Sequence, residues 1–292
     1  MTDSTTERSP VDDIVELVND IGQYLQWQQL GGADALPVEP RLSDDARKAI
    51  LTAPAVAPTP RAAPVARTPA AAPATPKQPS LGNWGRYTQS EPRQTVVGAL
   101  DRASSLSAIR SELGDCQRCG LCRGRRNIVF GVGSETADLM VIGEGPGANE
   151  DRQGEPFIGK AGQMLDRMLE NVLGLPRPQV YISNVVKCRP PGNRNPEPDE
   201  IARCRPFLLA QMRVIQPKVV LVLGSVAGRT MFDTGMGITR LRGSWRTVKY
   251  PGGEARAMPT FHPAYLLRQA SEKRKTFEDL KAVRTVLAEL SS

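Results

Sequence analysis

The chain has 292 residues, a formal net charge of +7 and 40% hydrophobic residues, enough for one catalytic-size domain with something looser attached at the usual ~100–200 residues per domain. Residues 1–100 carry 9 Lys and Arg against 11 Asp and Glu, whereas residues 101–292 carry 29 against 20; a basic C-terminal two-thirds steers towards polyanions and ranks nucleic acid ahead of an acidic or neutral partner. No apolar run approaches the ~20 residues that span a bilayer, and the N-terminus MTDSTTERSP lacks the order of a signal peptide, so a cytoplasmic chain without a membrane role is expected.

Three segments are expected in chain order: an amphipathic helix segment over 1–35, a disordered Ala/Pro-rich linker over 36–100, and a catalytic domain over 101–292. In the first, Ile14, Leu17, Val18, Ile21 and Leu25 fall on one helical face, with Pro10 and Asp12–Asp13 at its start and Gly31–Gly32 at its end. One helix cannot bury its own stripe, so it is a candidate for docking on a protein partner; otherwise a monomer is expected. From Ala53 to Pro79, 18 of 27 residues are Ala or Pro. Proline at this density fixes φ and removes backbone donors, which leaves an extended linker. Order is expected to resume between Gln94 and Ser107.

Beyond it, apolar runs alternate with helical periods. Asp138–Gly143, Val180–Val186, Lys218–Gly224 and Ala257–Phe261 read as strands; 160–173, 199–215, 226–232 and 273–290 read as helices. That alternation predicts a three-layer α/β/α domain with a mostly parallel central sheet of about four strands. Ligands in such sheets sit beyond the C-terminal ends of the strands.

Five cysteines in a reducing compartment read as metal ligands or redox groups before they read as disulfides. Cys116, Cys119 and Cys122 lie in DCQRCGLC, Cys188 at a strand exit and Cys204 on a helix. Four thiolates suit either zinc or a [4Fe-4S] cluster, though the wide spacing of the second pair is a poor zinc ribbon. Arginines and lysines flanking the cysteines offset the negative charge of such a site and can still face a phosphate backbone.

The loop after the first strand, GEGPGANEDRQGEPFIGKAGQ, forms no G-x-G-x-x-G, and Glu144, Glu150 and Asp151 would repel a pyrophosphate. Its glycines instead let backbone N–H groups approach a planar ligand, on which Phe157 can stack. Asn184 places an amide in a buried strand, where it demands partners and can match the N3–H and O4 edge of uracil. The single histidine, His262, directly follows the last strand.

Together with the cysteine spacing, the segments GEGPGANEDRQGEPFIGKAGQ, YISNVVKCRPPGNRNP, VVLVLGSVAG and FHPAYLLR resemble the family 4 uracil-DNA glycosylases, the iron–sulfur type of bacteria and archaea. The resemblance covers about Cys116 to Arg268. It implies a DNA-repair hydrolase that flips uracil out of single- or double-stranded DNA and cleaves its N-glycosidic bond, leaving an abasic site for base-excision repair. It also implies a cluster held by Cys116, Cys119, Cys188 and Cys204, with Cys122 spare. Gly143, Glu144 and Gly145 would line the uracil pocket, Phe157 would stack on the base, Asn184 would read its edge and His262 would lie near O2. Asn193 joins the substrate-binding set, and Leu266, Leu267 and Arg268 form the segment expected to enter the duplex.

One departure stands out. The best-known branch of the superfamily carries GQDPYH, whose aspartate positions the attacking water, where this chain has Gly145. Glu144 or Glu150 is left to orient the water, and Glu150 is also a candidate for crowding the methyl group of thymine. Two competing readings are a non-catalytic iron–sulfur module that binds nucleic acid or senses redox state, and a zinc-stabilised nucleotide-binding domain.

Overall fold

The computed structural model describes residue 22 and residues 94–291. The helix expected over 1–35, apart from Gly22, and the linker expected over 36–100, as far as Arg93, lie outside the described residues. The last stretch assigned to the linker instead belongs to helix α1 (Gln94–Arg102). Among the described residues, no helix is long and apolar enough to cross a membrane.

In chain order the strands are β1 (Val132–Gly133), β2 (Leu139–Gly143), β3 (Tyr181–Asn184), β4 (Val219–Leu223), β5 (Arg246–Tyr250) and β6 (Gly253–Thr260). They form one sheet in the order β1-β3-β2-β4-β6-β5. The four central strands β3, β2, β4 and β6 are mutually parallel and coincide with the four read from apolar runs. The edge strands β1 and β5 pair antiparallel and raise the count from the expected four to six. Neither has a continuous apolar run: β1 is two residues long, and β5 (RTVKY) buries only Val248 and Tyr250. An exposed edge such as β1 or a half-buried one such as β5 carries little of the hydrophobic signal by which a central parallel strand is recognised.

The remaining helices are α2 (Leu106–Leu113), α3 (Ala148–Gln153), α4 (Lys160–Met168), α5 (Pro198–Ile215), α6 (Gly224–Phe232), α7 (Ile238–Leu241), α8 (Pro263–Leu266) and α9 (Lys273–Ser291). Successive side chains of a strand point to opposite faces, and the core divides accordingly. Met140, Ile142, Val220 and Val222 pack with Ile109 of α2, Phe207 and Met212 of α5 and Val226 of α6. Leu139, Val141, Leu221 and Leu223 pack on the other face with Leu165 and Met168 of α4 and Phe277 and Leu280 of α9. Each such fully buried side chain contributes ~1.5–3 kcal/mol, and the two apolar layers fix the sheet between helices.

The start of α5 is set by a reciprocal capping box between Glu197 and Glu200, with Pro198 at its first position. Ser105 caps α2 by accepting from the Ala108 N–H at 3.2 Å. With the sheet held this way, the carboxyl ends of β3, β2, β4 and β6 open on one side, where Asn184, Gly143, Gly224 and His262 follow one another across neighbouring strands.

Candidate active site

A cavity of about 440 Å³ lies beyond those strand ends. Its walls include Glu144, Gly145, Glu150, Phe157, Asn184, Asn193, His262 and Arg268, so one concavity gathers residues from four separate segments.

Gly143 is in parallel register with Asn184. A Cβ at Gly143 would lie 2.5 Å from Asn184 Oδ1 and 2.5 Å from Phe157 Cζ; only glycine leaves room for the amide and the ring to meet there. Asn184 is 1% exposed, and its Oδ1 has no hydrogen-bond partner. A buried acceptor left unpaired costs ~1–3 kcal/mol, which is recovered when a donor enters the cavity.

Phe157 is buried and holds a left-handed backbone, φ 52°, a conformation worth ~1–3 kcal/mol of strain for a non-glycine residue. Its ring stacks on that of His262 with centroids 5.5 Å apart. Glu150 secures the following turn: its Oε1 accepts the N–H groups of Ile158 at 3.0 Å and Gly159 at 2.9 Å. Glu150 therefore does structural work that the sequence does not reveal, and that oxygen is already committed. The Glu144 carboxyl is different. Burial pushes its pKa up to about 7, within the range suited to accepting a proton near neutral pH.

Nδ1 of His262 accepts the Ala264 N–H at 3.2 Å, so the ring proton resides on Nε2. Burial, reinforced by Arg268 and opposed by Glu150, lowers the His262 pKa to about 4. The imidazole is neutral at physiological pH, which resolves a choice the sequence leaves open.

At the cavity mouth, Asn193 also has a left-handed backbone, φ 56°, and its Oδ1 accepts Arg189 Nε at 2.8 Å. A Cβ at Gly145 would come within 2.8 Å of Val186 Cγ2, so this turn packs directly on the exit of β3. The pair Leu266–Leu267 is split by the structure. Leu266, the last residue of α8, is fully buried in the core, whereas Leu267 is 43% exposed. A side chain enclosed in the core cannot enter a duplex, so the expectation for Leu266 is corrected to that of a core anchor, while Leu267 and Arg268 are exposed.

Among the described residues, no group of three or more His, Cys, Asp or Glu side chains has an arrangement that could hold a metal ion. The cysteines are nonetheless neighbours. Cys119 interacts electrostatically with Cys116 and Cys122, Cys188 with Cys116 and Cys119, and Cys204 with Cys188 and Cys119. Burial pushes the thiol of Cys188 up to about 11 and that of Cys204 up to about 12. Arg125 Nη1 donates to Cys188 Sγ at 3.5 Å, and the Lys187 N–H donates to Cys204 Sγ at 3.3 Å. A desolvated sulfur set supplied with N–H donors becomes a thiolate set only with a cationic centre to neutralise it, which is the donor chemistry that an iron–sulfur cluster uses. The Nζ of buried Lys187 joins this region to the cavity by bonding the Asn184 carbonyl at 2.9 Å, Gln211 Oε1 at 2.8 Å and Ser183 Oγ.

A family model of the uracil DNA glycosylase superfamily matches residues 130–283. The chain belongs to this superfamily. Among curated proteins it is similar to the type-4 uracil-DNA glycosylase of Sulfurisphaera tokodaii, 42% identical over 184 residues that span 62% of this chain and 84% of the relative. It is 39% identical to the type-4 enzyme of Saccharolobus solfataricus, covering 63% of this chain and 87% of the relative. The corresponding figures for the Thermotoga maritima enzyme are 40%, 64% and 96%. The superfamily fold is the one described above, and three of the four segments read from the sequence, those beginning at Gly143, Tyr181 and Phe261, contribute residues to the cavity. One contributor lies outside these motifs: Arg177, whose guanidinium holds the backbone carbonyls of Pro156 and Phe157. Carbonyl acceptors belong to every residue, so spacing could not have singled out these partners.

Proposed function

We propose that the protein is a uracil-DNA glycosylase of base-excision repair, hydrolysing the N-glycosidic bond of uracil extruded from DNA. The observation that carries this reading is the unpartnered Oδ1 of Asn184 in a cavity shared with Phe157 and a neutral His262. The similarity to type-4 uracil-DNA glycosylases, 42% identical in the case of the Sulfurisphaera tokodaii protein, supports it.

Uracil stacked in a duplex is out of reach, so binding must supply the few kcal/mol that extrusion costs. Leu267 enters the vacated stack as an apolar wedge, and Arg268 and the arginines near the cysteines face the phosphates. In the pocket, Phe157 stacks on the base. Asn184 Oδ1 accepts the N3–H of uracil, and its amide N–H donates to O4; cytosine presents the opposite pattern at both atoms.

Bond cleavage places negative charge on uracil and positive charge on the sugar. The Nε2–H of His262 donates to O2 where that charge develops, a contribution on the order of 3 kcal/mol for a well-placed donor. Glu144 orients the attacking water and takes its proton. Glu150 keeps Phe157 in place and walls the pocket on the side where a thymine methyl would lie.

Cys116, Cys119, Cys188 and Cys204 would hold a [4Fe-4S] cluster. When bound, it supplies a fixed cationic metal core that would tie the loop after α2 to the segment after β3 and to α5.

The test incubates the purified, cluster-intact protein with an oligonucleotide carrying one uracil and then with alkali. Strand scission at the uracil, with release of free uracil, is expected. An intact strand rejects the reading.

A further inference from the structure

We propose that Arg177 is a positioning residue that holds Phe157 in its left-handed conformation and so aims the ring at the extruded base; this rests on the reading of Phe157 as the stacking platform. Arg177 lies in a single 3-10 turn, Arg177–Gln179, just before β3, and does not line the cavity. Its Nη1 donates to the Phe157 carbonyl at 3.2 Å and to Asp166 Oδ1 at 2.8 Å. Its Nη2 donates to the Pro156 carbonyl at 2.5 Å and reaches Glu155 Oε1 at 3.5 Å.

The left-handed turn at Phe157 has polar groups to satisfy on both sides. The carbonyls of Pro156 and Phe157 meet Arg177, while the N–H groups of Ile158 and Gly159 meet Glu150. A planar guanidinium can bridge two carbonyls and two carboxylates at once, whereas an ammonium acts as a single compact point of charge. The third restraint is Gly162 on α4, where a Cβ would lie 1.8 Å from the Phe157 carbonyl oxygen. The loop is thus wedged against α4, and Arg177 sets the direction from which the ring enters the cavity. The side chain is 20% exposed and salt-bridged on its outer side to Glu155 and Asp166, so it clasps the turn from outside the apolar layers.

The test is a cycle of Arg177→Met, Phe157→Ala and the double variant, with Arg177→Lys alongside, read by single-turnover uracil release and by inhibition with free uracil. Arg177→Met should slow release on the order of 10- to 100-fold, since displacement of a positioning group by about 1 Å can cost that much. It should weaken inhibition by uracil in parallel and leave the KM for DNA nearly unchanged. Arg177→Lys should recover part of the rate, and the double variant should be no slower than Phe157→Ala. Wild-type rates for both Arg177 variants, or losses that multiply in the double variant, would overturn the proposal. Should Arg177→Met not fold, Arg177→Lys and its combination with Phe157→Ala carry the same comparison. An inactive wild-type protein would instead reject the glycosylase reading itself.

Discussion

The backbone N–H of Ala264 donates to Nδ1 of His262 at 3.2 Å, and this bond decides which nitrogen of the ring faces the cavity as a donor. Burial acts in the same direction, holding the imidazole pKa near 4. His262 therefore contributes a neutral Nε2–H throughout the physiological range. Glu144, at about 7, is the cavity group that changes charge there.

The rate of uracil release should accordingly rise with pH through about 7 as Glu144 ionises, with no limb near the ordinary histidine pKa of ~6.5. Glu144→Gln should flatten the profile and lower its plateau. Single-turnover rates between pH 5 and 9 check this; a limb near 6.5 that disappears in His262→Asn would contradict it.

The same two groups shape stability in opposite ways. Glu144 is raised from 4.5 to about 7 on folding, so the stability linked to it is complete below pH 4.5 and is lost as pH rises through 7. Glu144→Gln should be more stable than wild type at pH 8, by up to about 3 kcal/mol, and no different at pH 4.5. His262 is lowered from 6.5 to about 4; its linked stability is complete above pH 6.5 and is lost as pH falls through 4. Urea denaturation of Glu144→Gln and wild type at the two pH values measures the first difference.

The adjacent leucines should separate cleanly. Leu267→Ala should leave thermal stability unchanged and slow excision from duplex DNA by roughly tenfold or more, with a smaller effect on single strands, because only the duplex needs a wedge. Leu266→Ala should cost ~2–5 kcal/mol of stability through the cavity it opens in the core. Paired assays on single- and double-stranded substrate, with denaturation curves for both variants, distinguish the two roles.

Cys204→Ser should remove the absorbance near 400 nm expected of a bound cluster and destabilise the protein, because buried ligands left without a metal forfeit its share of the folding energy. Cys122→Ser should retain both colour and stability. Iron content and melting curves check this pair; a colourless Cys122→Ser protein would place Cys122 among the ligands.

Much of this was legible in the sequence because central parallel strands advertise themselves. LMVIG and VVLVL are buried on both faces, so their apolar runs located β2 and β4, and the polar residues at their exits followed. The edges were not legible. In β5, Arg246, Thr247 and Lys249 alternate with Val248 and Tyr250, a pattern that an exposed loop could share. Within the site, the convergence of Asn184 and His262 on one cavity is readable from their placement at strand exits. Roles that depend on direction were not. The burial of Leu266 against the exposure of Leu267 follows from which way α8 turns. The committed oxygen of Glu150 depends on a loop folding back eight or nine residues later. Arg177 bonds to carbonyls, which no sequence pattern distinguishes.

Asn184 Oδ1, which no group among the described residues pairs, is the atom proposed to accept the N3–H of an extruded uracil. The most direct test of that role is single-turnover release of base from otherwise identical duplexes carrying U·G, T·G or C·G, by wild type and by Asn184→Ala. Rapid release of uracil by wild type, none of thymine or cytosine, and a loss on the order of 10²–10³-fold in Asn184→Ala are expected, comparable to removing one transition-state hydrogen bond. Undiminished uracil release by Asn184→Ala would contradict that role.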